Sequence, residues 1–394
     1  MPRSSRRSFP APQVIDKTAS LSALCARLRH EEFVTVDTEF MRERTYWPEL
    51  CVVQLAGKED VAVVDAMAEG IDLTSLGELL ADQSVMKVFH AARQDIEIFL
   101  QRFGEVPAPL FDTQVAAMVA GFGDQVAYDA LVSALAGGHI DKAHRFSDWS
   151  VRPLSPAQVA YAAADVTFLR IVYEKLREQL AGENRLDWLA AEMAVLTNPE
   201  TYRTDPDDMW LRLRPRSSNR RYLGIVRTLA AWREREARRI NIPRQRLLKD
   251  ETLLEIAATT PETPEALARA RGVTRGFAEG RTGASLLAAI AEGKALAEEA
   301  LPPSPRGGNH DAARPSPALI ALLKVLLAAK SEEHHVAARL VAGSDDLDRI
   351  ALGENEVDAL RGWRRDIFGA DAIDLRDGRM ALGVEGSRVR LIRI

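Results

Sequence analysis

Phe33-Val34-Thr35-Val36-Asp37-Thr38-Glu39-Phe40 is an apolar, β-branched run that closes on two carboxylates separated by one residue. Such a run predicts a strand, and side chains alternate across a strand, so Asp37 and Glu39 project from one side of a sheet. Adjacent carboxylates repel each other. A divalent cation between them offsets that cost, because hard ions such as Mg²⁺ and Mn²⁺ take oxygen ligands. Taken alone, an Asp-x-Glu also fits a strand ending in a solvated acidic turn, so the reading depends on acids elsewhere in the chain.

Around this strand the pattern is that of a mixed α/β sheet. Leu21, Leu24 and Leu28 have helical spacing. Residues 51–55 and 61–64 read as two further strands around the turn Gly57-Lys58-Glu59-Asp60, too close for crossover helices and so expected to form an antiparallel meander with the first. A helix near 73–80, a strand at 86–90 and a helix over 95–103 closed by Gly104 follow. The clearest helix starts at Ser155: Ser155 fits the N-cap, Pro156 the first helical position and Gln158 the third, which completes a capping box. Its Ala162-Ala163-Ala164 lets it lie close on a sheet, and Tyr161 and Asp165, four apart, share a face.

The chain has 394 residues and a formal net charge of −5, which allows two or three domains and gives no global sign of nucleic-acid binding. Its two cysteines, Cys25 and Cys51, offer neither a disulfide framework nor metal-ligand spacing, so a reduced, cytoplasmic setting is expected. The longest apolar run, 318–329, is broken by Lys324, and no membrane span is expected. The first 12 residues read as a flexible tail. After about residue 199 arginine becomes dense, notably Arg220, Arg221 and Arg227 on a helix beginning near Tyr222, and a local basic surface follows from it. A Pro/Gly-rich linker precedes a second, more acidic helical unit. That unit ends in strands, with hairpin turns expected at Asp377-Gly378 and Glu385-Gly386.

Four acids and a phenol now form a set. Two cations about 3.5–4 Å apart can activate water and stabilise a leaving oxygen in phosphodiester hydrolysis. Asp37 suits the bridging position, Glu39 and Asp165 the ion that activates water, and Asp95 the second ion. Tyr161 would orient the attacking water. Asp112, before Thr113-Gln114, reads as an N-cap rather than a ligand, Asp65 as a strand-end turn former, and no histidine is assigned to metal. Trp47 could stack on a base. Lys142 and Arg152, which flank Trp149, could meet phosphates, with surface solvation the default for both.

The segments Asp37-Thr38-Glu39-Phe40, Phe89-His90-Ala91-Ala92-x-x-Asp95, Phe111-Asp112-Thr113-Gln114 and Ser147-Asp148-Trp149-x-x-Arg152-Pro153-Leu154-Ser155 with Tyr161-Ala162-Ala163-Ala164-Asp165 resemble the DEDD exonucleases of the tyrosine-bearing branch, and among them the ribonuclease D family. The five catalytic positions carry no departure. The resemblance implies a ribonuclease-H-like exonuclease domain (13–205), then a helical module of the HRDC type (216–297), a linker (298–314) and a second, divergent module (315–394). It implies two divalent ions, Mg²⁺ or Mn²⁺, and removal of nucleoside monophosphates from RNA 3′ ends, with tRNA precursors carrying 3′ trailing nucleotides as the characteristic substrate. A DNA-directed exonuclease and a non-catalytic nucleic-acid adaptor are the alternatives.

Overall fold

A computed structural model describes residues 9–141, 143–215, 217–303 and 315–394. The chain divides into two units. One comprises residues up to Phe40, Leu50–Thr201 and the C-terminal part from Ala313; the other is Met41–Glu49 with Tyr202–Ala312.

The first unit holds a six-stranded sheet in the order β1-β4-β3-β2-β5-β6, built from β1 (Gln13–Ile15), β2 (Phe33–Met41), β3 (Glu49–Ala56), β4 (Val61–Asp65), β5 (Met86–Phe89) and β6 (Leu110–Asp112). β4, β3 and β2 are neighbours in chain order and β3 pairs antiparallel with β4, while β5 runs parallel to both β2 and β6, and β1 parallel to β4. The sheet is mixed. Its interior strands read as near-continuous Val and Leu because helices cover both faces; Val34, Val36, Val52, Val53, Val63 and Val64 are all fully buried.

The flanking helices are α1 (Thr18–Leu28), α2 (Thr74–Ala81), α3 (Arg93–Phe103), α4 (Thr113–Val119), α5 (Tyr128–Leu131), α6 (Pro156–Gly182) and α7 (Leu186–Leu196). The ends of two of them follow directly from local chemistry. Gly104 closes α3 in the left-handed region, φ +80°. Ser155 and Gln158 form the reciprocal capping box of α6, with Pro156 in its first turn. α6 packs on the sheet through Ala162, Val166 and Leu169, all buried.

The C-terminal helical module belongs to this same unit. Its long helix α14 (Pro317–His334) packs with shorter helices over Ala338–Val341, Ser344–Ala351 and Ala370–Arg376 around Leu323, Leu326, Ile350 and Phe368. Trp363 stacks on Trp188 of α7 at 4.7 Å and 9°. Arg185 caps the carbonyl of His334, and the Ala337 amide bonds the carbonyl of Met118. The module ends in a hairpin of β7 (Met380–Glu385) and β8 (Arg388–Arg393), with Gly386 at the turn. Asp377-Gly378 is not a hairpin turn as the sequence suggested. It terminates the preceding helix, with Gly378 at φ +76°.

The second unit is all-helical: α8 (Arg220–Ile240), α9 (Arg244–Leu247), α10 (Asp250–Thr259), α11 (Pro264–Leu267), α12 (Arg275–Glu279) and α13 (Arg281–Ala295) around Val226, Leu229, Leu253, Ile256, Leu286 and Ile290. Tyr46 packs against this core. Its hydroxyl hydrogen-bonds Glu234, a carboxylate with no solvent exposure that also receives Arg238 at 3.0 Å and Arg244 at 3.2 Å. The amide of Trp47 donates to Asn241, 3.1 Å away. The segment 41–49, which continues β2, is therefore folded into the helical unit.

Candidate active site

Three hydroxyls fix the elements that bear the acids. Thr35 of β2 donates to the Val166 carbonyl of α6 at 2.8 Å, beside Asp165. Thr38, between Asp37 and Glu39, donates to the Asp95 carboxylate of α3. Tyr128 of α5 donates to the main-chain carbonyl of Asp165. Strand, α3, α5 and α6 thus meet at one end of β2.

The result is a cavity of about 440 Å³ lined by Asp37, Glu39, Asp95, Tyr161 and Asp165, together with His90, Gln94, Gln114, Tyr128 and Arg145. Asp37, Glu39 and Asp165 each bring a carboxylate oxygen within 4.8 Å of the others. Such crowding in a partly dry site disfavours the charged forms. Burial, with Asp165 adding repulsion, holds the Asp37 carboxyl well above its ordinary range. Burial and the charges of Asp37, Asp165 and Asp95 push Glu39 up to about 10. Burial raises Asp165 to about 7 against the opposing hydrogen bond from Tyr161, and raises Asp95 as well, with Asp37 adding to it. The Tyr161 phenol, half-buried and beside Asp165, is held in its neutral form. Converging oxygen donors of high proton affinity are what a hard divalent cation compensates. The donor set fits such an ion.

Asp112 does more than cap α4. Its carboxylate accepts the amides of Gln114 and Val115, and also those of Ala91 at 3.0 Å and Ala92 at 2.8 Å, which set the entry to α3 and so the position of Asp95. His90 is pinned through Nδ1 to Thr113 at 3.0 Å, and burial lowers its pKa, so it enters the cavity as a neutral ring.

The residues expected to meet RNA lie differently. Arg152 is not a free phosphate contact: it pairs with both oxygens of Asp65 at 2.7 Å and donates to the carbonyls of Cys51 and Trp149. Arg220, Arg221 and Arg227 already have partners within the chain, bonding Glu298 and the carbonyls of Leu296, Glu298, Ala300, Leu301 and Pro302, although Arg220 and Arg221 remain exposed. Composition could not distinguish arginines paired within the chain from unpaired ones. Trp47 packs edge-on to Tyr46 at 4.8 Å within the helical unit, and Lys142 lies outside the described residues. Sequence reasoning missed Gln94, Gln114, Tyr128 and Arg145. Gln114 stands in the Phe111-Asp112-Thr113-Gln114 motif and Gln94 beside Asp95, but neither was given a role, and Tyr128 and Arg145 carry no pattern.

A family model of a 3′-5′ exonuclease matches residues 12–181, and one of the HRDC domain matches 223–290. The chain is 66% identical over its full length to ribonuclease D of Granulibacter bethesdensis, covering 99% of that protein, and 63% identical to ribonuclease D of Gluconacetobacter diazotrophicus, covering all of it. The chain belongs to the ribonuclease D family. The crystal structure of Escherichia coli RNase D, an exoribonuclease involved in structured RNA processing, superposes with a TM-score of 0.80 at 29% identity, covering 93% of this chain and 99% of that one. A ribonuclease D chain is a hydrolytic 3′-to-5′ exoribonuclease, with a ribonuclease-H-like domain and an HRDC domain, and the family depends on metal. Among the described residues of this ribonuclease D family member, no helix is long and apolar enough to cross a membrane.

Proposed function

We propose that Asp37, Glu39, Asp95 and Asp165 hold two divalent ions, Mg²⁺ or Mn²⁺, and that Tyr161 orients the water that cleaves the terminal phosphodiester. The observation that carries this is the convergence of three carboxylates to within 4.8 Å in the cavity that Asp95 and Tyr161 also line. Bound ions of this kind supply an activated water and charge stabilisation at the leaving oxygen. Asp37, clustered with Glu39 and Asp165 and with its charge also acting on Asp95, would contact both ions. Glu39 and Asp165 would complete one ion's ligands, and Asp95, held by Thr38, would serve the other. Tyr161, hydrogen-bonded to Asp165 and neutral, keeps its proton and uses the phenol to fix water geometry.

The substrate is RNA with unpaired 3′ nucleotides, and tRNA precursors with 3′ trailers are the class we assign to it, acting in the cytoplasm. RNA contact by the first helical module then falls to a cavity of about 450 Å³ lined by Arg246, Lys249 and Arg271, since Arg233, Arg235, Arg238 and Arg239 of α8 are paired with carboxylates of the chain. Asp37→Asn and Asp165→Asn should each abolish trimming of 5′-labelled RNA in Mg²⁺ or Mn²⁺ while RNA still binds. Full activity in either variant, or undiminished trimming in chelator, refutes the assignment. Matched RNA and DNA strands and a precursor tRNA with a short trailer define the substrate.

A further inference from the structure

The loop from His144 to Trp149 is built to meet substrate, and the proposed chemistry leaves it unused. It is anchored on both sides. Trp149 is 2% exposed and its ring lies 6.1 Å from that of Tyr161; Arg152, locked on Asp65, holds the Trp149 carbonyl at 2.6 Å. His144 pairs with Ser147, its Nδ1 lying 3.2 Å from Oγ, and its ring stands 6.3 Å from Tyr161. Between these anchors Arg145 lines the acidic cavity. The next side chain, Phe146, is 90% exposed, with the Arg145 guanidinium 5.4 Å from its ring centre.

An arginine in a cavity lined by five carboxylates, where the other basic group, His90, is held neutral, is a ready contact for a phosphate. A bare aromatic ring one residue further out has no core to serve and offers a face for a nucleobase, because stacking on aromatic side chains is how single strands are gripped without regard to sequence. On the exonuclease reading the terminal nucleotide sits in the cavity beside the acids. The ring outside that cavity therefore meets the base one step upstream. We infer that Phe146 stacks on the base of the penultimate nucleotide and Arg145 binds the phosphate beside it, so the loop holds the RNA across the scissile linkage. This rests on the exonuclease reading above and adds a second nucleotide subsite to it.

The test uses the full-length protein and RNA oligonucleotides that carry either a normal or an abasic penultimate nucleotide. In the unaltered protein, removal of that base raises KM by about ten-fold, the scale of one stacked base. In Phe146→Ala the KM for normal RNA rises by about the same factor and the abasic penalty disappears, because both changes delete one contact. Phe146→Leu behaves like the alanine variant, and Phe146→Trp keeps the preference. Arg145→Gln raises KM on both RNAs alike, and Arg145→Lys restores part of it. An unchanged KM in Phe146→Ala, or a full abasic penalty that persists there, overturns the proposal. Inactivity of the unaltered protein on every RNA would instead overturn the exonuclease reading.

Discussion

The hydroxyl of Thr38 donates to the carboxylate of Asp95, joining the centre of the Asp37-Thr38-Glu39 strand end to the first turn of α3 across a buried distance that sequence separates by 57 residues. A buried carboxylate whose side-chain donor among the described residues is Thr38 takes its orientation from it. Thr38→Val keeps the shape and deletes the donor. It should lower kcat/KM about ten-fold, about 1.4 kcal/mol of transition-state stabilisation, and raise the metal concentration needed for half-maximal rate. Thr38→Ser should recover both, and an unshifted metal titration would refute the role.

Metal-free protein should lose stability as pH rises. Glu39 and Asp165 have folded pKa values raised to about 10 and about 7. A carboxyl raised in this way contributes its share fully below its unfolded pKa, and that share is lost as pH climbs through the folded value. Thermal melts of chelated protein should therefore show Tm falling between about pH 5 and pH 9, with Asp165→Asn flattening the fall. Mn²⁺ should raise Tm more at pH 8 than at pH 6, because the ligands must lose protons to bind it. A chelated Tm that rises across this window would contradict the electrostatic account.

Tyr161→Phe separates water positioning from metal binding. The hydrogen bond to Asp165 disappears while all four carboxylates remain. A loss of about 10²-fold in kcat with little change in metal affinity is expected. A comparable weakening of metal binding would make the phenol a support for Asp165 instead.

Arg152→Gln should act through stability. Removing the guanidinium leaves the Asp65 carboxylate, 13% exposed, without its cation, and a cost of about 2 kcal/mol follows. Asp65→Asn should reproduce most of it, since both break one pair. An unaltered Tm with weaker RNA binding would return Arg152 to the role of phosphate contact.

What the sequence disclosed and what it hid follow from range. The strand at Phe33, the capping box at Ser155 and the left-handed close at Gly104 are set by neighbours within a turn or two, and they read directly. β1 and β6, three residues each, are too short for periodicity to register. The partners of Arg152 and Arg220 lie 87 and 78 residues away, so local composition showed charge without showing that it was already satisfied. Asp112 was legible as a cap. Its hold on Ala91 and Ala92 depends on the parallel register that sets it opposite Phe89, which only the assembled sheet supplies.

The placement of Met41–Glu49 among the helices, with Tyr46 inserted beside the fully buried Glu234, bears on how this molecule can be cut. A truncation that ends near residue 201 would strand a phenol and an indole that have lost their companions, immediately downstream of Glu39. Any drop in catalysis would then mix misplaced ligands with lost grip on RNA. Transplanting the helices between relatives requires carrying those nine residues of the nuclease loop with them.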